Sequence, residues 1–300
     1  MYRILSTDGM AKSAVQKLRS LGYEVVEEFY EPEVLAEKVK EFDALVVRSA
    51  TKVRKPIIDG ALGGKLKIII RGGVGVDNID VEYATENGIA VANTPNASSA
   101  SVAELAIAHM LALARFVSIA NVTMRNGQWE KKAYKGVELT GKTLGVFGLG
   151  RIGKETAKRA EALGMKVIYT DSIKAAGVNY EMVSIDELLA KSDFITLHIP
   201  AMKGQPPMVN AEFISKMKDG AYLINTARGA LVDEEALCDA LDSGKLAGAG
   251  LDVYQDEPCK NERLIHHPKV SITPHIGGTT KEAQDRIGEE IVEIIKNKLK

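Results

Sequence analysis

Residues 142–171, KTLGVFGLGRIGKETAKRAEALGMKVIYTD, leave few folds open to the chain that holds them. Leu144, Val146 and Phe147 form a short apolar run of the buried-strand type, and Gly148-Leu149-Gly150-Arg151-Ile152-Gly153 comes directly after it. Ile152, Thr156, Ala157, Ala160 and Leu163 then recur every three or four residues, the period of a helix, until Gly164 stops it. A second strand ends at an acid, Asp171. Each glycine has a separate physical task. Gly148 allows the tight turn out of the strand, Gly150 lets backbone N–H groups reach a pyrophosphate, and Gly153 lets the helix lie close on the strand. The helix N-terminus adds unpaired donors and partial positive charge. Asp171, 18 residues past Gly153, stands where a carboxylate accepts from a ribose 2′-hydroxyl and repels a 2′-phosphate. Strand, glycines, helix, strand and acid in this order predict a dinucleotide site that takes NAD in preference to NADP, although Lys174 lies near enough to offer a 2′-phosphate a cation.

The rest of the chain repeats the strand–helix alternation. Apolar or alternating runs at 2–6, 24–29, 44–47, 66–70 and 89–92 read as strands, with a helix carrying Val15, Leu18 and Leu21 after the first and one starting near Pro32 after the second. Further strands are expected at 194–197, 221–224, 247–250 and 270–273. Such βαβ repetition builds parallel sheets with helices on both faces. Residues 98–125 read as one long helix, with Ala103, Ile107, Met110, Leu111, Ala114 and Val117 along one side, apolar enough to need a cover. The last helix opens on a capping box of Thr279 and Glu282, and Ala283, Ile287, Ile291 and Ile294 mark its buried face. The fold class is α/β: two doubly wound parallel-sheet domains. The nucleotide domain, 97–280, is inserted into a first domain made of 1–96 and 281–300.

A net charge of −1 gives no reason to expect nucleic acid or a membrane surface as partner, and no apolar run reaches the roughly 18 residues of a membrane span. The start, MYRILSTDGM, reads as a strand and turn rather than a secretory leader, and two cysteines, Cys238 and Cys259, set up no disulfide framework. A cytoplasmic protein without a metal site is the expectation.

Ligands of open parallel sheets collect at the carboxyl ends of the strands. Directly after the strands of the first series stand Arg48, then Arg71 with the loop Gly73-Val74-Gly75, then Asn93 to Asn96. The corresponding positions of the second series hold His198 and Pro200, Thr226-Ala227-Arg228, Asp252 with Glu257, and His275 to Gly278. Moving a hydride between a 2-hydroxy acid and nicotinamide needs a proton acceptor for the hydroxyl and a cation for the carboxylate. His275 suits the first task, helped by an acid such as Glu257 that would stabilise its imidazolium; Arg228 suits the second, since its planar fork matches a carboxylate. The N–H groups of Val74 and Gly75 could serve the same carboxylate. Plainer readings stay open on position alone. Arg228 could pair with Asp233 at a helix start, His275 could be a loop histidine, Glu257 a solvated turn acid, Asp252 a tie for the loop before Glu257, and Arg48 and Arg71 surface charges. His266 and His267 show no partner.

The stretches VVRSATKV, RGGVGVDNID, ANTPNASSASVAEL, ELTGKTLGVFGLGRIGKE, DFITLHIP, LINTARGALVDEEAL, LAGAGLDVYQDEP and ITPHIGGTTKEAQDRIGEEI run through nearly the whole chain. On these the sequence resembles the D-isomer-specific 2-hydroxyacid dehydrogenases. The resemblance implies a Rossmann domain inserted into a flavodoxin-like substrate domain. It implies Arg228 as substrate-binding arginine, Glu257 as the histidine's partner and His275 as acid/base. Gly148, Gly150, Arg151, Ile152, Gly153 and Asp171 would hold NAD, with His198, Pro200, Thr226, Ala227, Asp252, Gly277 and Gly278 beside it. Arg48 and Arg71 would meet the phosphate of a phosphorylated 2-hydroxy acid, with Val74, Gly75 and Asn96 on the substrate side; oxidation of such an acid opens serine synthesis. Glu257, where formate-oxidising members carry glutamine, argues against that activity. A homodimer through the nucleotide domains is implied. The stretch AMKGQPPMVN lacks the family's usual threonines, and serine inhibition through an appended regulatory domain is not expected.

Overall fold

The structure, a computed structural model, describes residues 1–202 and 204–300. Lys203, within AMKGQPPMVN, lies outside the described residues. The chain divides into two compact units, Met1–Ser98 with Gly278–Lys300, and Ser99–Gly277.

The first unit holds strands β1 (Arg3–Ser6), β2 (Glu24–Glu27), β3 (Ala44–Val47), β4 (Ile68–Arg71) and β5 (Ala90–Asn93), with helices α1 (Lys12–Ser20), α2 (Pro32–Lys38), α3 (Lys55–Ala61) and α4 (Val81–Glu86) between them. The strands are parallel, in the order β2-β1-β3-β4-β5. This is the flavodoxin-like order, which reverses direction between β1 and β3. Successive strand residues point to opposite faces. Ile4, Val46, Ile68 and Ile70 therefore enter one core with Val15, Leu18 and the C-terminal helix, whereas Leu5, Leu45, Val47 and Ile69 enter a second with Leu35 and Ile58. That is why the strands read as unbroken apolar runs. The C-terminal helix, Lys281–Lys298, buries Ile287, Ile291 and Ile295 in the first of these cores. It can come close to α1 because residue 288 is glycine: a Cβ there would stand 2.8 Å from the Ala14 Cβ. Its cap is Thr280, whose Oγ1 accepts from the Ala283 N–H at 3.1 Å, not the expected Thr279–Glu282 box.

The second unit contains helices α5 (Ser99–Ala114) and α6 (Val117–Arg125), then β6 (Thr143–Phe147), α7 (Arg151–Ala162), β7 (Lys166–Thr170), β8 (Glu181–Met182), α8 (Ile185–Lys191), β9 (Phe194–Leu197), α9 (Ala211–Lys216), β10 (Ala221–Asn225), α10 (Glu234–Asp242), β11 (Leu246–Leu251), α11 (Glu262–Ile265) and β12 (Val270–Ile272). All strand pairs are parallel, in the order β12-β11-β10-β9-β6-β7-β8. The direction reverses between β6 and β9, so the carboxyl ends of those two strands open the crevice in which dinucleotides bind in this architecture. β8 escaped the sequence reading because both of its residues are exposed and carry no apolar period.

The single helix expected over 98–125 is two helices bent by 64°. Phe116, between them, adopts φ 57°, a left-handed conformation that no helix continues through. Val102, Ala103, Ala106, Ile107, Met110 and Leu113 are buried, whereas Leu111, within α5, and Val117, past the bend, are exposed. No single helix among the described residues is long and apolar enough to cross a membrane.

Candidate active site

At the β6–α7 junction the three glycines differ as elementary sterics require. Gly148 has φ +85°, and a Cβ there would stand 2.6 Å from Ile199 Cγ2 and 2.8 Å from the His198 carbonyl, because the exit of β9 crosses it. At Gly153 a Cβ would lie 2.1 Å from the Gly148 carbonyl oxygen, so the helix can sit on the strand only without a side chain there. Gly150 has an ordinary φ of −72°, and no heavy atom of the described residues lies within 4 Å of where its Cβ would be. Its contribution is open space. Among the described residues no side chain caps the N-terminus of α7, so its first-turn donors and partial positive charge face that space. Arg151 and Ile152 form the first turn. Asp171, at the end of β7, braces the loop: its Oδ2 accepts from the Leu149 N–H at 2.8 Å and its Oδ1 from the Ser172 N–H at 2.7 Å.

Two buried polar atoms stand at the exits of the neighbouring strands β9 and β10. His198 Nε2 lies 3.0 Å from Thr196 Oγ1, while its Nδ1 has no partner among the described residues; Thr226 Oγ1 is likewise buried and unpartnered. Burial pushes the His198 imidazole down to about 3, so the ring is neutral near pH 7. Buried polar groups normally find partners. An uncapped helix end, an open glycine and two unsatisfied polar atoms along adjacent strand ends fit a polar, phosphate-bearing dinucleotide. Pro200 is exposed and Ala227 half-buried on the same rim.

Arg228, Glu257 and His275 come from the loops after β10, β11 and β12, at the same carboxyl ends of the strands. His275 Nδ1 lies 2.7 Å from Glu257 Oε2. Burial pushes the Glu257 carboxyl up, but the His275 bond and charge, the Tyr254 N–H and the Arg228 charge outweigh it and hold the group below its ordinary value. Arg228 thus lies within electrostatic reach of the pair. With Nδ1 engaged, Nε2 is the nitrogen left for a ligand.

His275 has φ +54°, a conformation a non-glycine residue adopts only when its surroundings impose it. Asp252, 1% exposed, imposes it. Its Oδ1 accepts from Thr273 Oγ1 at 2.6 Å and Ile276 N–H at 2.8 Å, and its Oδ2 from Gly277 N–H at 2.8 Å. Behind it His109 of α5, also buried, lies 2.9 Å from Ser271 Oγ and 3.1 Å from Thr273 Oγ1. Ser101 Oγ donates to the Gly277 carbonyl at 2.8 Å. Asp252 and Gly277, expected beside the cofactor, thus also brace the loop that carries His275. Asp252 does tie a loop, but the one after β12 and not the one before Glu257. Nothing in the sequence pattern pointed to His109 except its being a lone polar ring in an apolar helix.

Arg228 is set by Asn225, fully buried at the end of β10. Asn225 Oδ1 accepts from the Ala227 N–H at 3.0 Å and its Nδ2 donates to the Arg228 carbonyl at 2.8 Å. Asp233 caps α10, accepting from the Glu235 and Ala236 N–H groups. His266 and His267 do have partners, Glu262 at 3.0 Å on the surface and Asp242 at 3.2 Å with the His267 ring largely covered.

In the first unit Arg48 follows β3 and Arg71 is the last residue of the adjacent strand β4. The Arg48 loop is knotted by Asp8, whose carboxylate accepts from the Arg48 N–H at 2.6 Å, the Thr51 N–H at 3.0 Å and Thr51 Oγ1 at 2.6 Å. Asn78 Nδ2 donates to the Arg48 and Thr51 carbonyls, both at 2.7 Å. The Arg71 guanidinium lies over its own loop, with Nη1 donating to the Gly72 carbonyl at 3.3 Å and standing 1.3 Å from where a Cβ on Gly73 would be. Asn93 Nδ2 holds the Val74 carbonyl at 2.5 Å; Gly75 is half-buried and Asn96 exposed. A Cβ on Gly278 would meet the Ser98 side chain at 3.6 Å.

Comparison with known proteins adds an independent line. Residues 107–277 match the family model described as D-isomer specific 2-hydroxyacid dehydrogenase, NAD binding domain. A hydroxypyruvate reductase of Thermotoga maritima is 50% identical over 299 residues, covering 98% of this chain and 97% of that protein. A D-3-phosphoglycerate dehydrogenase of Methanocaldococcus jannaschii is 47% identical over 305 residues, covering 100% of this chain but 58% of that protein. The chain therefore spans little more than half of that relative. Among solved structures, the TT0316 protein of Thermus thermophilus superimposes with a TM-score of 0.91 at 38% identity, covering 99% of this chain and 96% of that one.

Proposed function

The chain belongs to the D-isomer-specific 2-hydroxyacid dehydrogenases, and from that premise we propose that it oxidises 3-phospho-D-glycerate to 3-phosphohydroxypyruvate with NAD, and runs the reverse reduction. The observation that carries an acid/base reading is the 2.7 Å bond between His275 and Glu257 in the field of Arg228. A bound nicotinamide ring supplies the acceptor for the C2 hydride. His275 Nε2 takes the C2 hydroxyl proton in oxidation and returns it in reduction. The Glu257 carboxylate fixes the ring through Nδ1 and stabilises the imidazolium that forms. Arg228 presents its fork to the substrate carboxylate, which sets which face of C2 is offered. The α7 N-terminus and Gly150 receive the pyrophosphate, and Asp171 accepts from the adenosine ribose. Arg48 and Arg71 take the substrate phosphate, a group that an unphosphorylated keto acid such as glyoxylate lacks.

A second reading, reduction of hydroxypyruvate, is favoured by the Thermotoga relative, which matches at 50% identity over nearly its whole length. NADH oxidation measured with phosphohydroxypyruvate, hydroxypyruvate, glyoxylate and 2-ketoglutarate separates the two. A kcat/KM highest for phosphohydroxypyruvate supports the first. A value as high for hydroxypyruvate, unaffected by Arg71→Ala, supports the second.

Leu111, Val117, Val122, Met124 and Trp129, before and after the α5–α6 bend, are exposed apolar side chains, which we read as part of the contact of a homodimer. A monomer by sedimentation at micromolar concentration would reject that reading.

A further inference from the structure

The segment from Tyr254 to Asn261 carries Glu257, and one buried carboxylate holds it at both ends. Glu234, 8% exposed, is the first residue of α10. Its Oε1 accepts from the Gln255 N–H at 2.9 Å, two residues before Glu257. Its Oε2 accepts from Asn261 Nδ2 at 3.2 Å, four residues after it. Gln255 Nε2 adds a bond to the Val232 carbonyl at 2.8 Å, and Asn261 also caps α11 through Leu264 N–H at 3.1 Å. The same segment lies hard against the Arg228 turn. A Cβ on Gly229 would stand 1.8 Å from the Tyr254 carbonyl oxygen, so only glycine can come after Arg228 here. An acid in the first turn of a helix ordinarily faces water and the helix dipole. Glu234 instead turns inward and spends both oxygens on a neighbouring loop.

We propose that Glu234 is a positioning residue for the reaction: by clamping both ends of the Glu257 loop onto the segment just past Arg228, it fixes the distance from Glu257 to His275 and holds the acid/base arm in register with the carboxylate-binding arm. The proposal rests on the acid/base reading of His275 and Glu257 given above. Glu234 bonds to Gln255 and Asn261 on either side of Glu257, so its influence passes through Glu257. Residues that act through one another do not contribute additively.

The experiment is a cycle of Glu234→Ala, Glu257→Gln and the double variant, with Glu234→Gln as the conservative member. Misplacing a catalytic group by about an ångström costs on the order of a hundredfold in rate. Glu234→Ala should lower kcat by roughly tenfold to a hundredfold while KM for the keto acid stays within about threefold. It should also move the alkaline fall of the reductive rate to lower pH, in the same direction as Glu257→Gln. The double variant should be no slower than Glu257→Gln alone. Glu234→Gln keeps an acceptor for the Gln255 N–H and should recover to within about fivefold of the parent. Should Glu234→Ala fail to fold, Asn261→Asp keeps the α11 cap at Leu264 N–H while removing the donor to Glu234 Oε2, and should show the same pH displacement on a smaller scale. Losses that add in the double variant, or a folded Glu234→Ala chain with the parent pH profile, overturn the proposal. If the parent turns over none of the four keto acids, the functional reading has failed. NMR titration of the labelled His275 ring then decides on the clamp: a displacement by Glu234→Ala that matches Glu257→Gln supports it, and an unmoved ring rejects it.

Discussion

The chain contains two doubly wound sheets, and the loops at their reversal points do opposite things. In the second unit the loop after β6 is glycine-rich, Gly150 borders open space and the end of α7 has no side-chain cap among the described residues. In the first unit the loop after β1 carries Asp8, whose carboxylate is already filled by the Arg48 and Thr51 N–H groups and the Thr51 hydroxyl. The architecture provides a crevice at each reversal. Whether that crevice takes an anion or is closed by the protein's own acid depends on one or two side chains. An acid placed where a phosphate would sit turns a binding loop into a structural knot.

Breaking the reactive half of the comparison should give the largest effect. His275→Ala is expected to lower turnover by about two to four powers of ten at unchanged NADH affinity, measured by steady-state kinetics; near-parental turnover would remove His275 from the chemistry. Next comes the cation beside the knotted loop. Arg71→Ala should cost about tenfold to a hundredfold in kcat/KM for phosphohydroxypyruvate and far less for glyoxylate, and equal losses would contradict a phosphate role. Gly150→Asp would give the second unit its own Asp8. Its NADH dissociation constant, read by fluorescence, should rise at least about tenfold, and an unchanged constant would break the comparison outright.

A smaller effect concerns pH. A carboxylate 2.7 Å from Nδ1 stabilises a positive charge on the ring by Coulomb attraction. Reduction needs the protonated ring, so its rate falls as pH rises, and Glu257→Gln should move that fall to lower pH. An identical pH profile would sink the pairing. For stability the sign is set by the depressed acid: the pair contributes above the ordinary carboxylate value of 4.5 and is lost as pH falls through the lowered folded value. The smallest effect is in the knot itself. Asp8→Ala leaves two N–H groups of the Arg48 loop without their acceptor and should cost about 1–3 kcal/mol in urea unfolding, whereas Asp8→Asn, which keeps an acceptor oxygen, should cost less than half of that.

Much of the second unit was legible because its constraints are local. Gly148 needs a positive φ at one residue, Gly153 must clear a carbonyl five residues earlier, and the strand periods repeat within a few residues. The unbroken helix over 98–125 failed for the opposite reason. Val117 keeps the helical spacing, but Phe116 just before it takes a left-handed conformation that no propensity announces, and Val117 ends exposed. Thr279 and Thr280 offer the same capping chemistry, and the structure uses Thr280. His275, Glu257 and Arg228 were found as strand-end residues, yet the groups that hold them escaped: Asp252 was read for another task, His109 looked like a polar intruder in an apolar helix, and Glu234 looked like an ordinary first-turn acid.

The sequence by itself determined the fold class, the strand-ending loops and the types of group available for hydride and proton transfer, because periodicity, glycine sterics and side-chain chemistry act over short stretches of chain. The tertiary structure alone decided which of those groups meet. Asp252 closing on residues 276 and 277, His109 reaching Thr273 across 164 positions, and Glu234 spanning from Gln255 to Asn261 are contacts between residues far apart in the chain. Their energies arise only once packing has removed water from between them, and no stretch read on its own carries that information.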